Sequence, residues 1–338
     1  MKYKISFCIV CMNRLSHLKE TLFENIEKNI SYKNVEFILL DYNSTDGLED
    51  WIKSNFKEYI NKGILSYYKT SEPSSFHRSH SRNVAMKLGT GDIICNLDAD
   101  NFLGEDFAHY INYNFSFSNN IFLCSGKPDG SYGRVSAKKK DFLKIRGYDE
   151  KMSGWGFEDD DLYQRLENLG REKQIFYDDK FTQFIDHEIE ESFSNDKNVL
   201  GIDSIYVQHN SYTKSNILFL LRNKIFYYGK VTKPNEYDAL ALEGNWKEGT
   251  YKVKNKELTL NFKDNNSSTF KVNGTRLSTD KVNEFIKADE KLEKYLKIEF
   301  TSLENKKNYE AKGKEIISNS RDWGKATLIK NFSKKIRI

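Results

Sequence analysis

Four short apolar runs in the first hundred residues leave little choice of fold. Lys4–Cys11 (KISFCIVC), Val35–Leu40 (VEFILL), Ile64–Lys69 and Asp92–Leu97 (DIICNL) are apolar enough for strands buried on both faces. Helical spacing separates them: Ser16–Ile30 carries Leu18, Leu22, Phe23 and Ile26, and Leu48–Tyr59 and Ser79–Leu88 follow the same rule. Strand and helix in alternation predict an α/β fold, a mostly parallel sheet flanked by helices. Such sheets bind ligands beyond the C-terminal ends of their strands. Asp41 closes the second run, and Asp98-Ala99-Asp100 closes the fourth.

Length places a limit on the rest. At 338 residues the chain exceeds the usual size of one core, so a second region is expected. The pattern changes near Asn235. Tyr251–Val272 alternates apolar and polar residues between Lys-Asn and Asp-Asn-Asn turns, which predicts an antiparallel hairpin or meander, and Leu277–Leu296 and Leu303–Ile317 read as helices. The expected division is therefore 1–235, catalytic, and 236–338, a small β plus helical appendage.

Charge excludes one class of partner. With 53 basic and 49 acidic residues the net charge is +4, without a basic face interleaved with aromatics, so nucleic-acid binding is not indicated. No leader is evident at the start, and Ile217–Leu221 with Ile225–Tyr228 is broken by Arg222 and Lys224, too short to span a bilayer. Cys8, Cys11, Cys95 and Cys124 fall in predicted strands as small hydrophobes, the first two on opposite faces. These points lead us to expect an intracellular protein. Arg321–Ile338 is basic, with Trp323, Leu328, Ile329, Phe332 and Ile336 between the charges. Such a segment is either a frayed terminus or an amphipathic tail suited to an anionic membrane surface.

Residues 154–166, GWGFEDDDLYQRL, gather four carboxylates after a Gly-Trp-Gly turn. Acids in the first turn complement a helix dipole, and Leu162, Leu166 and Leu169 with Gly170 predict a helix from about Asp160 to Leu169. Capping needs only one or two acids, so the remainder are candidates for a general base or for holding a cation. Asp98 and Asp100, two apart on extended backbone, project to one side and can share a hard divalent ion. A turn after a strand is the competing reading of the same residues.

Asp98-Ala99-Asp100 after a strand, Arg82-Asn83 upstream, Asn13-Arg14-Leu15-Ser16-His17-Leu18 and Gly154 to Asp161 together resemble the GT-A glycosyltransferases. The likeness covers about residues 3–210. It is greatest to family 2 enzymes with the C-terminal motif of β-1,4-galactosyltransferases and polypeptide N-acetylgalactosaminyltransferases. The resemblance implies a Rossmann-like GT-A sheet and a UDP-sugar donor. It implies Mn2+ or Mg2+ on Asp98 and Asp100, with His187 as third ligand, and Arg14, Asp41, Arg82 and Asn83 toward the nucleotide. It also implies a sugar face on Trp155 and Gly156, Glu158 on the donor sugar, Asp159 as base, and Asp160 on the acceptor. Phe157 stands where galactosyltransferases have glycine, a departure that bears on donor identity. The implied protein is an inverting enzyme of bacterial surface-polysaccharide assembly. It would act on an oligosaccharide or lipid-linked glycan in the cytoplasm or at the inner face of the cell membrane. A nucleotidyl or phosphoryl transferase would use the same aspartates but lacks a Gly-rich phosphate cradle. A catalytically silent glycan-binding protein is the remaining alternative.

Overall fold

A computed structural model describes residues 2–127, 130–186, 201–211, 213–232, 241–242, 246–279 and 284–338. The chain divides into two compact units. One comprises Met1–Ser153, Phe157–Glu188 and Asn308–Ile338, and the other comprises Gly154–Gly156 and Ile189–Lys307. The cuts fall elsewhere than near 235, because strands at 202–232 pair with those at 247–287 and the end of the chain returns to the first sheet.

In the first unit, β1 (Ile5–Cys11) pairs in parallel with β2 (Val35–Tyr42) and β4 (Ile93–Asp98), and β2 pairs in parallel with β3 (Leu65–Thr70). Alternate side chains feed two cores. Ile5, Phe7, Ile9 and Cys11 join one with Phe37 and Leu39, whereas Cys8 joins the other with Ile38 and Leu40. This two-sided burial is why the runs lack alternation. Helix α1 (Leu15–Glu27) covers the first core, and α4 (Arg78–Leu88) the second. Between them in sequence, the predicted helix Leu48–Tyr59 is two pieces, α2 (Leu48–Asn55) and α3 (Lys57–Asn61). Beyond β4 the sheet becomes mixed. β6 (Val135–Lys138) is antiparallel to β4 and to β5 (Ile121–Ser125), and β7 (Glu172–Phe176) runs parallel to β5. The described cysteines are free and buried.

The basic C-terminal segment is neither frayed nor amphipathic in the expected way. Thr327–Lys330 and Lys334–Arg337 form a hairpin whose first strand pairs with β3. Leu328 and Trp323 enter the second core, and Phe332 stacks on Tyr67 at 5.0 Å. The apolar side chains that a membrane-bound helix would bury in lipid are thus largely spent on folding.

The second unit is a closed antiparallel sheet. Its strands are β8 (Ile202–His209), β9 (Lys214–Leu221), β10 (Ile225–Thr232), the short β11 (Ala241–Leu242), β12 (Lys247–Lys254), β13 (Glu257–Phe262), β14 (Ser267–Asn273), β15 (Arg276–Ser278) and β16 (Glu284–Lys287). From β10 the pairing runs through β12, β13, β14, β15, β16, β8 and β9 back to β10. Closure removes the exposed edges that an open sheet would offer to other chains. Within the stretch from Leu277 expected as helix, Arg276–Ser278 and Glu284–Lys287 are strands because Leu277 and Phe285 face the barrel core. A single helix then spans Glu290–Lys312, where Leu296 and Phe300 pack on the outer faces of β8 and β9. Among the described residues no helix is long and apolar enough to cross a membrane.

Candidate active site

The C-terminal ends of β1, β2 and β4 bring the predicted loops together. Asn13 accepts the Thr45 amide at 2.8 Å, its own amide donates to Ser44 Oγ at 3.1 Å, and Leu15 donates to Asp46 at 2.8 Å. Arg14 is half-buried on this clasp, 3.4 Å from His17 Nδ1. Asp41 lies beneath it, fully enclosed. It accepts from Tyr67 Oη at 2.5 Å and from the Ser44 amide at 2.7 Å, and burial raises its pKa against these bonds. Its carboxylate, for which the resemblance implied a place near the nucleotide, holds the loop from inside.

Asn83 is fully buried, donates to the Tyr148 carbonyl at 2.9 Å and to Glu150 at 3.0 Å, and accepts the Tyr148 amide at 2.7 Å. These bonds to residues 148–150 shape that turn.

Arg82, one turn after Arg78 on α4, organises the acids. One guanidinium nitrogen donates to Asp98 at 3.0 and 3.1 Å, and the other to Asp159 at 3.1 Å and Glu158 at 3.4 Å. Its plane lies 5.4 Å from the centre of the Tyr148 ring. Arginine suits this task because its planar fork serves two carboxylates at once. The two aspartates, remote in sequence, thereby share one buried cation.

Helix α7 (Glu158–Asn168) begins two residues earlier than the sequence indicated, and its four acids have separate fates. Glu158 is buried beside Arg82 and Arg78, with Oε2 lacking a partner among the described residues. Asp159 is driven by burial to a pKa of about 7, with Arg82 opposing and Glu158 and Asp98 adding to the rise. Asp160 accepts from Tyr132 Oη at 2.5 Å. Asp161 binds Arg165 at 2.6 Å and Lys312 at 2.6 Å, and Lys312 also pairs with Asp149. The charges are therefore not pooled on one ion.

Phe157 precedes this helix at φ 65°, a conformation costing an L-residue about 1 kcal/mol, and its ring lies 5.8 Å from that of Tyr309. A contact that glycine cannot make accompanies that strain. Trp155, 38% exposed, and Gly156, whose carbonyl accepts from Asn305 at 2.9 Å, belong to the second unit. Gly133 escaped notice in the sequence. A Cβ there would stand 2.8 Å from Arg82 and 3.2 Å from both Asp98 and Asp159, so a bare backbone is required against the charge cluster. Arg78, Tyr132, Tyr148 and Lys312 were missed as well, since nothing local marks a residue whose partner lies far along the chain.

For a divalent ion the described donors are Asp98 and Asp100, with Asp98 partly exposed and Asp100 bound by Asn101 Nδ2 at 2.8 Å. His187 lies outside the described residues. No group of three ligating side chains occurs among the described residues. Two carboxylates nonetheless fit a hard ion that completes its shell with diphosphate oxygens and water.

Two family models meet over this site. "Glycosyl transferase family 2" matches residues 6–155, and "N-terminal domain of galactosyltransferase" matches 130–188. Residues 6–188 thus match glycosyltransferase family models. The chain is 29% identical over 131 residues to a poly(ribitol-phosphate) beta-glucosyltransferase of Bacillus spizizenii, covering 39% of the chain but 20% of that relative. It thus spans about a fifth of the curated relative's length. Similar solved structures include the mannosyltransferase PcManGT of Pyrobaculum calidifontis with GDP-Man and Mn2+. It is 15% identical, covering 59% of this chain and 61% of that one, with TM-score 0.48. Another is S. aureus TarS 1–349 with UDP-GlcNAc, 16% identical, covering 55% and 59%, with TM-score 0.46.

Proposed function

We propose that the protein is an inverting glycosyltransferase that moves a sugar of Gal, GalNAc, GlcNAc or Glc type from a UDP-sugar to a hydroxyl of a carbohydrate acceptor. The observation that carries this reading is the buried Arg82 fork, which joins Asp98 at the end of β4 to Asp159 at the start of α7. A donor-side carboxylate and a base-side carboxylate so linked can act on one substrate.

In this mechanism the acceptor hydroxyl gives its proton to Asp159 as its oxygen attacks the anomeric carbon. The bond from that carbon to the diphosphate breaks on the opposite side, which inverts the configuration. A carboxyl with pKa about 7 is well matched to general-base work near neutral pH. Glu158 Oε2, without a partner among the described residues, would accept a hydroxyl of the transferred sugar. Asp98 and Asp100 would hold a manganese or magnesium ion, whose charge offsets that growing on the leaving diphosphate. The Bacillus relative supports a glycopolymer acceptor and a part in bacterial surface-polymer synthesis.

The test is UDP release from UDP-Glc, UDP-Gal, UDP-GlcNAc and UDP-GalNAc in the presence of glycan acceptors, with UDP binding followed by calorimetry. Asp159→Asn should lower turnover by about 10²- to 10⁴-fold and leave UDP affinity nearly unchanged. Loss of UDP binding in that variant removes the base assignment.

A further inference from the structure

The barrel has an open mouth. The ends of β8, β13 and β15 and the starts of β12, β14 and β16 converge there around a cavity of about 350 Å3. Strand alternation sets its lining. Phe226 on β10, Tyr251 on β12, Leu258 and Leu260 on β13, and Tyr206 on β8 belong to the interior core. The same parity turns Tyr228, Lys247, Phe262 and Gln208 inward at the mouth. A barrel that needed only stability would continue its apolar filling at these positions.

Here the interior instead ends in four aromatic rings, Tyr228, Phe262, Phe270 and Phe285, beside Gln208, Lys247 and Ser268. Phe270 and Phe285 meet edge to face at 5.7 Å, and Tyr228 stands at a steep angle to both Phe262 and Phe285. Gln208 is buried and its Oε1 accepts from Asn216 at 2.7 Å, which leaves its NH2 without a partner among the described residues. The Tyr228 hydroxyl has none there either, and the exposed Lys247 ammonium lies 5.8 Å from the Phe262 ring, with Asp264 on the same cavity wall and within reach of its charge. A buried amide without a partner, as on Gln208, costs stability unless a ligand completes it.

We infer that this mouth is a saccharide-binding site, which takes one sugar unit of a glycan. Ring faces accept the C–H side of a pyranose, and the amide, hydroxyl and ammonium groups meet its hydroxyls or an anionic substituent. A lipid chain would leave those donors unsatisfied. Volume and lining, apolar with a few converging polar groups, are those of a small-ligand pocket. In an enzyme that extends a glycan, the proposal that this polymer occupies the mouth rests on the transferase reading. The binding itself does not.

The experiment titrates the full chain with maltotriose, triacetylchitotriose, β-1,4-galactobiose and glucose 6-phosphate, by calorimetry or saturation-transfer NMR. Saturable binding of at least one probe with Kd of about 1 mM or tighter is expected. It should be weakened about tenfold or more in Tyr228→Ala and in Ser268→Trp, the latter blocking the cavity with every other lining group retained. Circular dichroism and UDP binding should match the wild type in both variants. Absence of saturable binding by any probe, or full affinity in folded Ser268→Trp, overturns the site. Failure of UDP binding alongside intact sugar binding removes the transferase reading and leaves the barrel site standing.

Discussion

The two sheets handle buried polarity in opposite ways. Around Arg82 the first unit surrounds one guanidinium with Asp98, Glu158 and Asp159, whereas at the barrel mouth Gln208, Tyr228 and Lys247 share a cavity with Asp264 and form no ion pair there among the described residues. Charges that must hold a geometry through a reaction are tied together. Groups that await a neutral, hydroxyl-rich ligand can be left open at a solvent-facing end.

If this contrast is real, substitutions should cost very different amounts in the two places. Arg82→Ala strands three carboxylates and should destabilise the fold by about 3–5 kcal/mol, read as a drop in urea midpoint. Lys312→Met leaves Asp149 buried beside Asp161 and should cost about 3 kcal/mol, because Arg165 still neutralises Asp161. Lys247→Ala should stay within about 0.5 kcal/mol of the wild type. A barrel that melts with the Lys247 change would show the mouth to be part of the scaffold.

The pH dependence falls between these effects and sharpens the picture of the charged cluster. Asp159 rises from an unfolded value of about 4 to about 7 in the folded protein. Folding favours its protonated form, so its contribution to stability is complete below about pH 4 and is lost as pH rises through 7. Activity runs the other way. The base works ionised, so kcat/KM should fall below about pH 7. Asp159→Asn should flatten the stability profile over that window, which denaturation at pH 5 and pH 8 would reveal.

Much of the first sheet was legible because a strand covered on both sides must be apolar throughout, and Lys4–Cys11 and Val35–Leu40 are. The meander at Tyr251–Val272 was readable from its alternation. Its closure was not, since Leu277–Leu296 contains enough helical spacing to conceal two short strands that only the barrel core selects. At the site, carboxylates beside a strand end or a helix start were visible. Which of them is bound internally was not: Asp41, Asp161 and Asn83 differ from Asp98 and Asp159 only through partners such as Tyr67, Lys312 and Tyr148.

Residues 308–338 return to the first unit after the whole barrel has intervened. They supply Lys312 to Asp149 and Asp161, and the strand that covers β3. During synthesis the first 188 residues therefore emerge without their closing edge strand and with Asp149 and Asp161 lacking the lysine they share. The barrel, an insertion tethered at both ends, must be made before the unit that precedes it can finish folding. A ribosome-bound chain stalled before residue 308 should be open to protease in the first unit, and activity should appear only once the C-terminal hairpin has been released.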